Sequence, residues 1–162
     1  MVEQALLALA GWLDAQGLSA WARGGRWIYP AANVLHVIGL AMFLGAIGAV
    51  DLRLAGLWRR LPIAVLNQSF MPVAFAGLAV LAGSGIVLFA ADGRALAGSW
   101  VFQIKLGVIA LALANAIWFR ARWQSRIGAG QRVMPGRARL VALLSLLLWL
   151  GVAALGRMIA YL

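Results

Sequence analysis

The sequence contains four apolar runs, each long enough to cross a lipid bilayer as a helix. They lie at about 31–50, 71–91, 100–119 and 139–160 in a chain of 162 residues that is 65% hydrophobic. A helical span needs ~20 apolar residues, and only a helix or a closed barrel can satisfy its own backbone hydrogen bonds in lipid. None of the connectors is long enough for a soluble domain. We therefore predict an all-α fold, a single membrane domain (1–162) formed by a four-helix transmembrane bundle in contact with the lipid bilayer.

The first 29 residues precede the first predicted span and have a different pattern. Apolar residues recur at helical spacing up to Gly17, and Trp27 and Tyr29 stand just before Pro30. Proline suits the first turn of a helix, and indole and phenol rings favour headgroup depth. We expect residues 1–29 to form an interfacial segment that begins with an N-terminal amphipathic helix.

The basic residues predict the orientation of the bundle. Fourteen Lys and Arg stand against four Asp and Glu, giving a net charge of +10. Connectors rich in arginine usually face the cytoplasm. We predict a bacterial inner (cytoplasmic) membrane protein with both termini on the periplasmic side, and no nucleic-acid binding, because the bases flank apolar runs. The predicted inner connectors contain Arg53, Arg59, Arg60, Arg120, Arg122, Arg126, Arg132, Arg137 and Arg139, and the outer face contains Arg23, Arg26 and Arg94.

Each predicted span also has one polar residue at a similar depth below the outer face. These residues, which we call the outer layer, are His36, Ser84, Lys105 and Arg157, in chain order. Asn33 lies one helical turn above His36, within side-chain reach. Polar groups at membrane depth are costly unless they face the interior of a bundle, so the outer layer is a candidate binding site.

An imidazole beside two cations fits several ligands. In haem b, His36 would be an axial ligand and Lys105 and Arg157 would meet the propionates. A sixth iron ligand would then come from Met158, Met42, an exogenous molecule or a second protomer. Copper would use His36 and Met158, since imidazole and thioether both bind Cu(I). A quinone or a small anion would form hydrogen bonds with His36 and Lys105.

The same residues have structural interpretations. Lys105 and Arg157 are close enough to the outer boundary to extend their charges into the headgroups. His36 could be a packing residue that bonds to Asn33, Ser84 or a carbonyl oxygen. These structural roles would be sufficient for a non-catalytic membrane subunit or anchor. Such a protein would bind membrane protein partners, or a second copy of itself as a homo-oligomer. The binding interpretation requires that the outer layer converge on one interior cavity.

Asp51 and Arg53 end the first predicted span on its inner side. An acid there can pair with a connector arginine, and a base can meet phosphate headgroups, so we expect both residues to anchor the helix. Asn115 and Ser145 lie towards the same side of later spans. We expect their side chains to bridge helices by hydrogen bonds.

Most catalytic chemistry lacks a signature in this sequence. There is no cysteine, so disulfides and thiolate chemistry are excluded. The single histidine and four scattered acids form no paired carboxylates and no Ser-His-Asp set, and no glycine-rich phosphate loop follows a strand. We do not expect the chain to be an enzyme on its own.

Several stretches between Trp27 and Phe119 resemble a known group of proteins. They are "WIYP", "NVLHVIGLAMFLGAIGAVDLRLAG", "MPVAFAGLAVLAGSGIVLF" and "FQIKLGVIALALANAIWF". They look like a family of short bacterial inner-membrane proteins and, more distantly, resemble the membrane domain of the copper-resistance D (CopD) family. That resemblance implies a helical bundle, copper handling at the outer face, related bundles that contain haem, and His36 and Lys105 as the positions of interest. The chain has no Met-rich or His-rich outer segment, in contrast to the copper pattern.

Overall fold

The computed structural model describes residues 1–128 and 135–161. This part of the chain forms six helices: α1 (Val2–Ala15), α2 (Leu18–Gly24), α3 (Ile28–Ala55), α4 (Ile63–Gly98), α5 (Trp100–Gly128) and α6 (Gly136–Met158). In the described ranges, α3, α4, α6 and most of α5 are long and apolar enough to cross a membrane. The predicted all-α fold with four membrane-spanning helices and a helical N-terminal segment is confirmed.

α4 is much longer than the second predicted span. The segments 63–70 and 92–98, which lie outside the second predicted span, belong to the helix. Pro72 lies inside α4, and a single non-helical residue, Asp92, marks a kink near its outer end. Continuing the helix gives most backbone groups an internal partner, which outweighs the local breaker signals in a membrane. Only Ser99 separates α4 from α5.

The two N-terminal helices pack against the outer end of α4. Ala10, Leu13 and Ala22 form a buried cluster with residues 89–91 of α4. Nη1 of Arg23 donates a hydrogen bond to the carbonyl oxygen of Ala91 at 3.0 Å. Leu7, Leu9 and Trp12 of α1 are exposed. The interfacial segment is therefore docked on the bundle through its small residues.

α3 and α4 approach each other most closely at Gly39 and Gly77. A Cβ atom at Gly77 would lie 2.6 Å from the amide nitrogen of Phe43 and 2.9 Å from the carbonyl oxygen of Gly39. Small residues are what allow the backbones of membrane helices to come this close. This contact fixes the relative position of α3 and α4, which supply His36 and Ser84.

Gly77→Ala is expected to destabilise the bundle by about 1–3 kcal/mol, because the new methyl group meets backbone atoms that cannot turn aside. The matched control is Gly83→Ala on the same helix, where a Cβ atom meets nothing within 4 Å. The control should leave stability unchanged or raise it by up to about 1 kcal/mol, through helix propensity. Thermal unfolding in detergent, followed by circular dichroism, measures both. Equal melting temperatures would contradict the packing described here.

α6 joins the other spans at the centre and at the inner side. The ring of Trp149 packs edge-on against Phe43 of α3, with 4.5 Å between ring centroids. Nδ2 of Asn115 on α5 donates a hydrogen bond to the carbonyl oxygen of Val141 at 3.3 Å, so the predicted bridge from Asn115 is confirmed. Ser145 is buried and faces Asp51 of α3. α5 is the least buried of the four long helices.

The inner end of α3 differs from our expectation. Asp51 is 6% exposed, and no described basic residue forms an ion pair with it. Arg53 is also buried, and its guanidinium donates to the carbonyl oxygens of Leu61 at 2.7 Å and Arg59 at 3.1 Å. Arg53 therefore caps the turn after α3 and does not extend to headgroups. Residues two apart on a helix do not face each other, which is why Asp51 and Arg53 have separate surroundings.

Candidate functional site

His36 and Ser84 form a direct pair across α3 and α4. Nδ1 of His36 and Oγ of Ser84 are 2.9 Å apart, and Ser84 is only 6% exposed. The imidazole is half-buried and lies over Gly85, where a Cβ atom would be 3.4 Å from Cε1. Two members of the outer layer, from different helices, are thus in contact inside the bundle.

The hydrogen bonds of Ser84 determine the tautomer of the neutral imidazole. The hydroxyl of Ser84 donates to the carbonyl oxygen of Val80 at 2.6 Å, with the carbonyl of Leu81 at 3.3 Å. A serine has one proton to give and a carbonyl oxygen can only accept, so Oγ must accept from His36. His36 therefore has its proton on Nδ1 and a free lone pair on Nε2. Metal-binding histidines have the same arrangement, with the second ring nitrogen fixed by a hydrogen bond.

Lys105 brings a cation to the same layer from α5. Its side chain is half-buried and packs on α6, where a Cβ atom at Gly156 would lie 3.3 Å from Nζ. His36 therefore contacts Ser84 between α3 and α4, whereas Lys105 contacts Gly156 between α5 and α6.

The other predicted site residues lie apart from this group. Arg157 is exposed, and its guanidinium contacts the hydroxyl and the ring of Tyr161. Nδ2 of Asn33 donates to the carbonyl oxygen of Tyr29 at 3.2 Å, at the surface of α3. Met158 is 45% exposed. Their role in ligand binding stays a prediction.

Met42, considered as a second iron ligand, packs against Gly77, where a Cβ atom would lie 3.0 Å from its own Cβ atom. It lies six residues further along α3 than His36, which is about 9 Å deeper at 1.5 Å per residue. Met42 therefore does not lie at the level of the outer layer.

An open apolar cleft of about 410 Å³ reaches Ser84, and His36 and Lys105 are not among the residues that line it. α2, α3 and α4 form its walls, and the hydroxyl-bearing residue among them is Ser84. This volume lies within the range of small-molecule sites, which are mostly apolar with a few polar groups. The residues that line the cleft are Trp21, Ile28, Ala31, Ala32, Leu35, Val80, Gly83, Ser84 and Val87.

Sequence reasoning did not identify the cleft. Its shape depends on Gly83, where a Cβ atom would meet nothing within 4 Å, and on Trp21, which α2 places beside α3 and α4. The sequence feature that could have indicated the cleft is the combination of small residues at 31, 32 and 83 with His36 and Ser84. Small residues are frequent in membrane helices, so this signal alone does not point to a cavity.

In residues 1–128 and 135–161, no group of three or more His, Asp or Glu side chains is arranged to hold a metal ion. Metal chemistry at the outer layer would thus use His36 without help from a second imidazole or carboxylate. Comparisons with models of protein families, with curated proteins and with solved structures find no match for this chain. The functional argument therefore depends on the geometry of the outer layer itself.

Proposed function

We propose that this polytopic membrane protein binds a small electron-transfer ligand at the outer layer, and that a quinone is the ligand its geometry favours. The observation that carries the proposal is the chain of hydrogen bonds from His36 through Ser84 to Val80. It holds an imidazole in one tautomer, inside a bundle, with Nε2 able to accept a proton or bind a metal.

The cleft supports a quinone over a smaller polar ligand. A quinone has an apolar ring and tail that need an apolar space, and oxygen atoms that need a few polar partners. The cleft beside Ser84 offers the apolar space. Nε2 of His36 can accept a hydrogen bond from a quinol hydroxyl, and Lys105 can donate one to a quinone or quinolate oxygen. These residues would bind and orient the ring, and His36 would hold the proton that a quinol releases.

Haem b is the second candidate, because the same tautomer suits an axial iron ligand. His36 would bind the iron through Nε2 and Lys105 would meet a propionate. Bound haem would supply one-electron transfer. The geometry favours it less than a quinone because Arg157, the expected second propionate partner, contacts Tyr161.

Two other functions have less support. Copper handling, as in the CopD resemblance, would rest on His36 and on Met158, whose thioether is largely exposed. A non-catalytic anchor would explain the weakly buried α5, which leaves an apolar surface for lipid, for a partner or for a second copy. In an anchor, the His36–Ser84 pair would have only a packing role.

The test of the proposed function is a binding measurement on the purified protein with a short-chain quinol, using quenching of the intrinsic fluorescence. Trp21, one of eight tryptophans, lines the cleft, so the part of the quenching that is lost in Trp21→Phe reports on its occupancy. Saturable quenching that competes with native quinone is the expected result. Quenching that rises linearly with quinol concentration, as it would for partition into detergent, would contradict the proposal.

We propose an inner-membrane location with both termini on the periplasmic side. Arginines on the α3–α4 and α5–α6 connections support this orientation. The chain has no cysteine, so single cysteines at the exposed positions Gln16 and Arg60 can be labelled without background. We expect a membrane-impermeant maleimide to label Gln16→Cys in spheroplasts and Arg60→Cys only after permeabilisation. The reverse pattern would invert the proposed topology.

A further inference from the structure

A second polar site lies in the inner half of the bundle, away from the outer layer. Asp51 of α3 is 6% exposed, and its Oδ2 atom has no hydrogen-bond partner among the described residues. It lies five residues before Gly56, which is about 7.5 Å further into the bundle at 1.5 Å per residue. The polar side chain that faces it is Ser145 of α6.

The charged residues near this end are engaged elsewhere. On α3 and its connector, Arg53 donates to the carbonyl oxygens of Leu61 and Arg59, and Arg59 donates to that of Gly56. Arg60 is exposed. The described basic groups that the neighbouring helices present are at the surface or at the helix ends. On α6, Arg139 lies against Gly56 and Arg137 is exposed, and on α5, Arg120 packs on Phe75 and Arg122 is exposed.

Among the described residues, the buried cluster at this end of the bundle is apolar. Val50, Leu54, Ile63, Ile127 and Ala142 form a buried cluster at this end of the bundle, and α4 has no charged residue before Asp92. An ionised carboxylate without a counter-charge is very costly in such a place, whereas a neutral carboxylic acid costs about as much as any other buried polar group. A bound proton removes the charge and turns one carboxyl oxygen into a donor.

A second buried polar atom without a partner lies on the same interface. Nε1 of Trp149 is buried and makes no described hydrogen bond, and Trp149 follows Ser145 by one helical turn. The α3–α6 interface thus contains an unpaired acceptor, an unpaired donor and a serine hydroxyl. Unpaired polar atoms are unusual at a packed interface, and each needs a physical explanation.

We propose that Asp51 and Ser145 form a proton-binding site in the inner half of the bundle, which exchanges its proton with the inner aqueous phase. In this site the Asp51 carboxyl binds the proton as a neutral carboxylic acid, with the Ser145 hydroxyl as its partner. The site does not rest on the proposed quinone function and involves none of the outer-layer residues. It gives the membrane domain one titratable group on the inner side.

Infrared spectroscopy tests this directly, because a protonated carboxylic acid has a carbonyl band separate from the amide bands. The chain has four acids. Glu3 and Asp92 are exposed and Asp14 lies within 4 Å of Arg23 and Arg94, so none of these three acids is buried without a counter-charge. In a detergent without carbonyl groups, we expect the wild type to show this band at pH 7. The band should shift when D2O replaces water. The band should disappear in Asp51→Asn and persist in Asp92→Asn.

Several outcomes would overturn the proposal. They are the lack of the band in the wild type at pH 7, its persistence in Asp51→Asn, and a band that does not shift in D2O. Loss of the band when sodium chloride replaces choline chloride would assign the site to a metal cation instead. Because asparagine is an isostere of the neutral acid, Asp51→Asn should also fold with an unchanged melting temperature. A variant that cannot be purified folded would mean that the ionised form is needed.

Discussion

His36→Asn is expected to lose the outer-layer ligand while the bundle stays folded. The amide nitrogen of asparagine takes the position of Nδ1 and can keep the hydrogen bond to Ser84, but nothing takes the position of Nε2. Removing the acceptor leaves a ligand hydroxyl without its partner, which costs about 1.5–3 kcal/mol, so quinol binding should weaken at least tenfold. For bound haem, the axial bond and the absorption spectrum would be lost.

A graded series separates the binding role of His36 from its packing role. His36→Ala removes both ring nitrogens and should lose the ligand and some stability. Ser84→Ala removes only the group that fixes the tautomer, and such outer-shell partners typically contribute 10–100-fold to affinity at metal sites. Ser145→Ala, a buried serine at the other end of the bundle, is the control and should bind normally. Normal quinol titration of a folded His36→Asn protein would make His36 a packing residue.

Gly83→Leu is expected to abolish binding of a ligand that uses the cleft, without a loss of stability. A side chain at Gly83 would extend into open space beside Ser84, so a leucine would block the part of the cleft next to this serine. We expect the loss of quinol affinity to exceed a hundredfold, because the ring is excluded sterically and not merely bound less well.

The matched control for this variant is Gly107→Leu on α5. A Cβ atom there also meets nothing within 4 Å, but the position lies outside the cleft. Both variants should melt at the wild-type temperature, and only Gly83→Leu should lose quinol-dependent fluorescence quenching. Equal affinities in the two variants would remove the cleft from the proposed site and leave only the imidazole.

The sequence predicts the helices well and their packing faces poorly. Hydropathy identifies a membrane-spanning helix because only a long apolar segment is stable across a bilayer, but it does not locate the ends of the helix. Pro72 and Gly93 look like breakers, yet both lie within α4, where a continued helix satisfies the backbone. Depth alone placed His36 level with Ser84, since consecutive spans are antiparallel and their connector is short.

Depth could not determine which way a side chain points. Arg157 is at the predicted level but turns towards Tyr161, because rotation about the axis of α6 is set by packing at Trp149 and Val152. The surroundings of Asp51 were also unpredictable. They depend on the turn after α3, where the carbonyl oxygens of residues 59 and 61 accept hydrogen bonds from Arg53. The acid is therefore left without this arginine as a partner.

The measurement that most directly tests the central claim is the cofactor content of the protein purified in mild detergent from quinone- and haem-replete bacterial cells. A visible spectrum with and without dithionite reports haem, and solvent extraction followed by chromatography reports quinone on the same sample. We predict close to one quinone per chain in the wild type and a severalfold lower content in His36→Asn and Gly83→Leu. Equal quinone in all three proteins, or none in a folded and colourless wild type, would contradict ligand binding at the outer layer and favour the anchor.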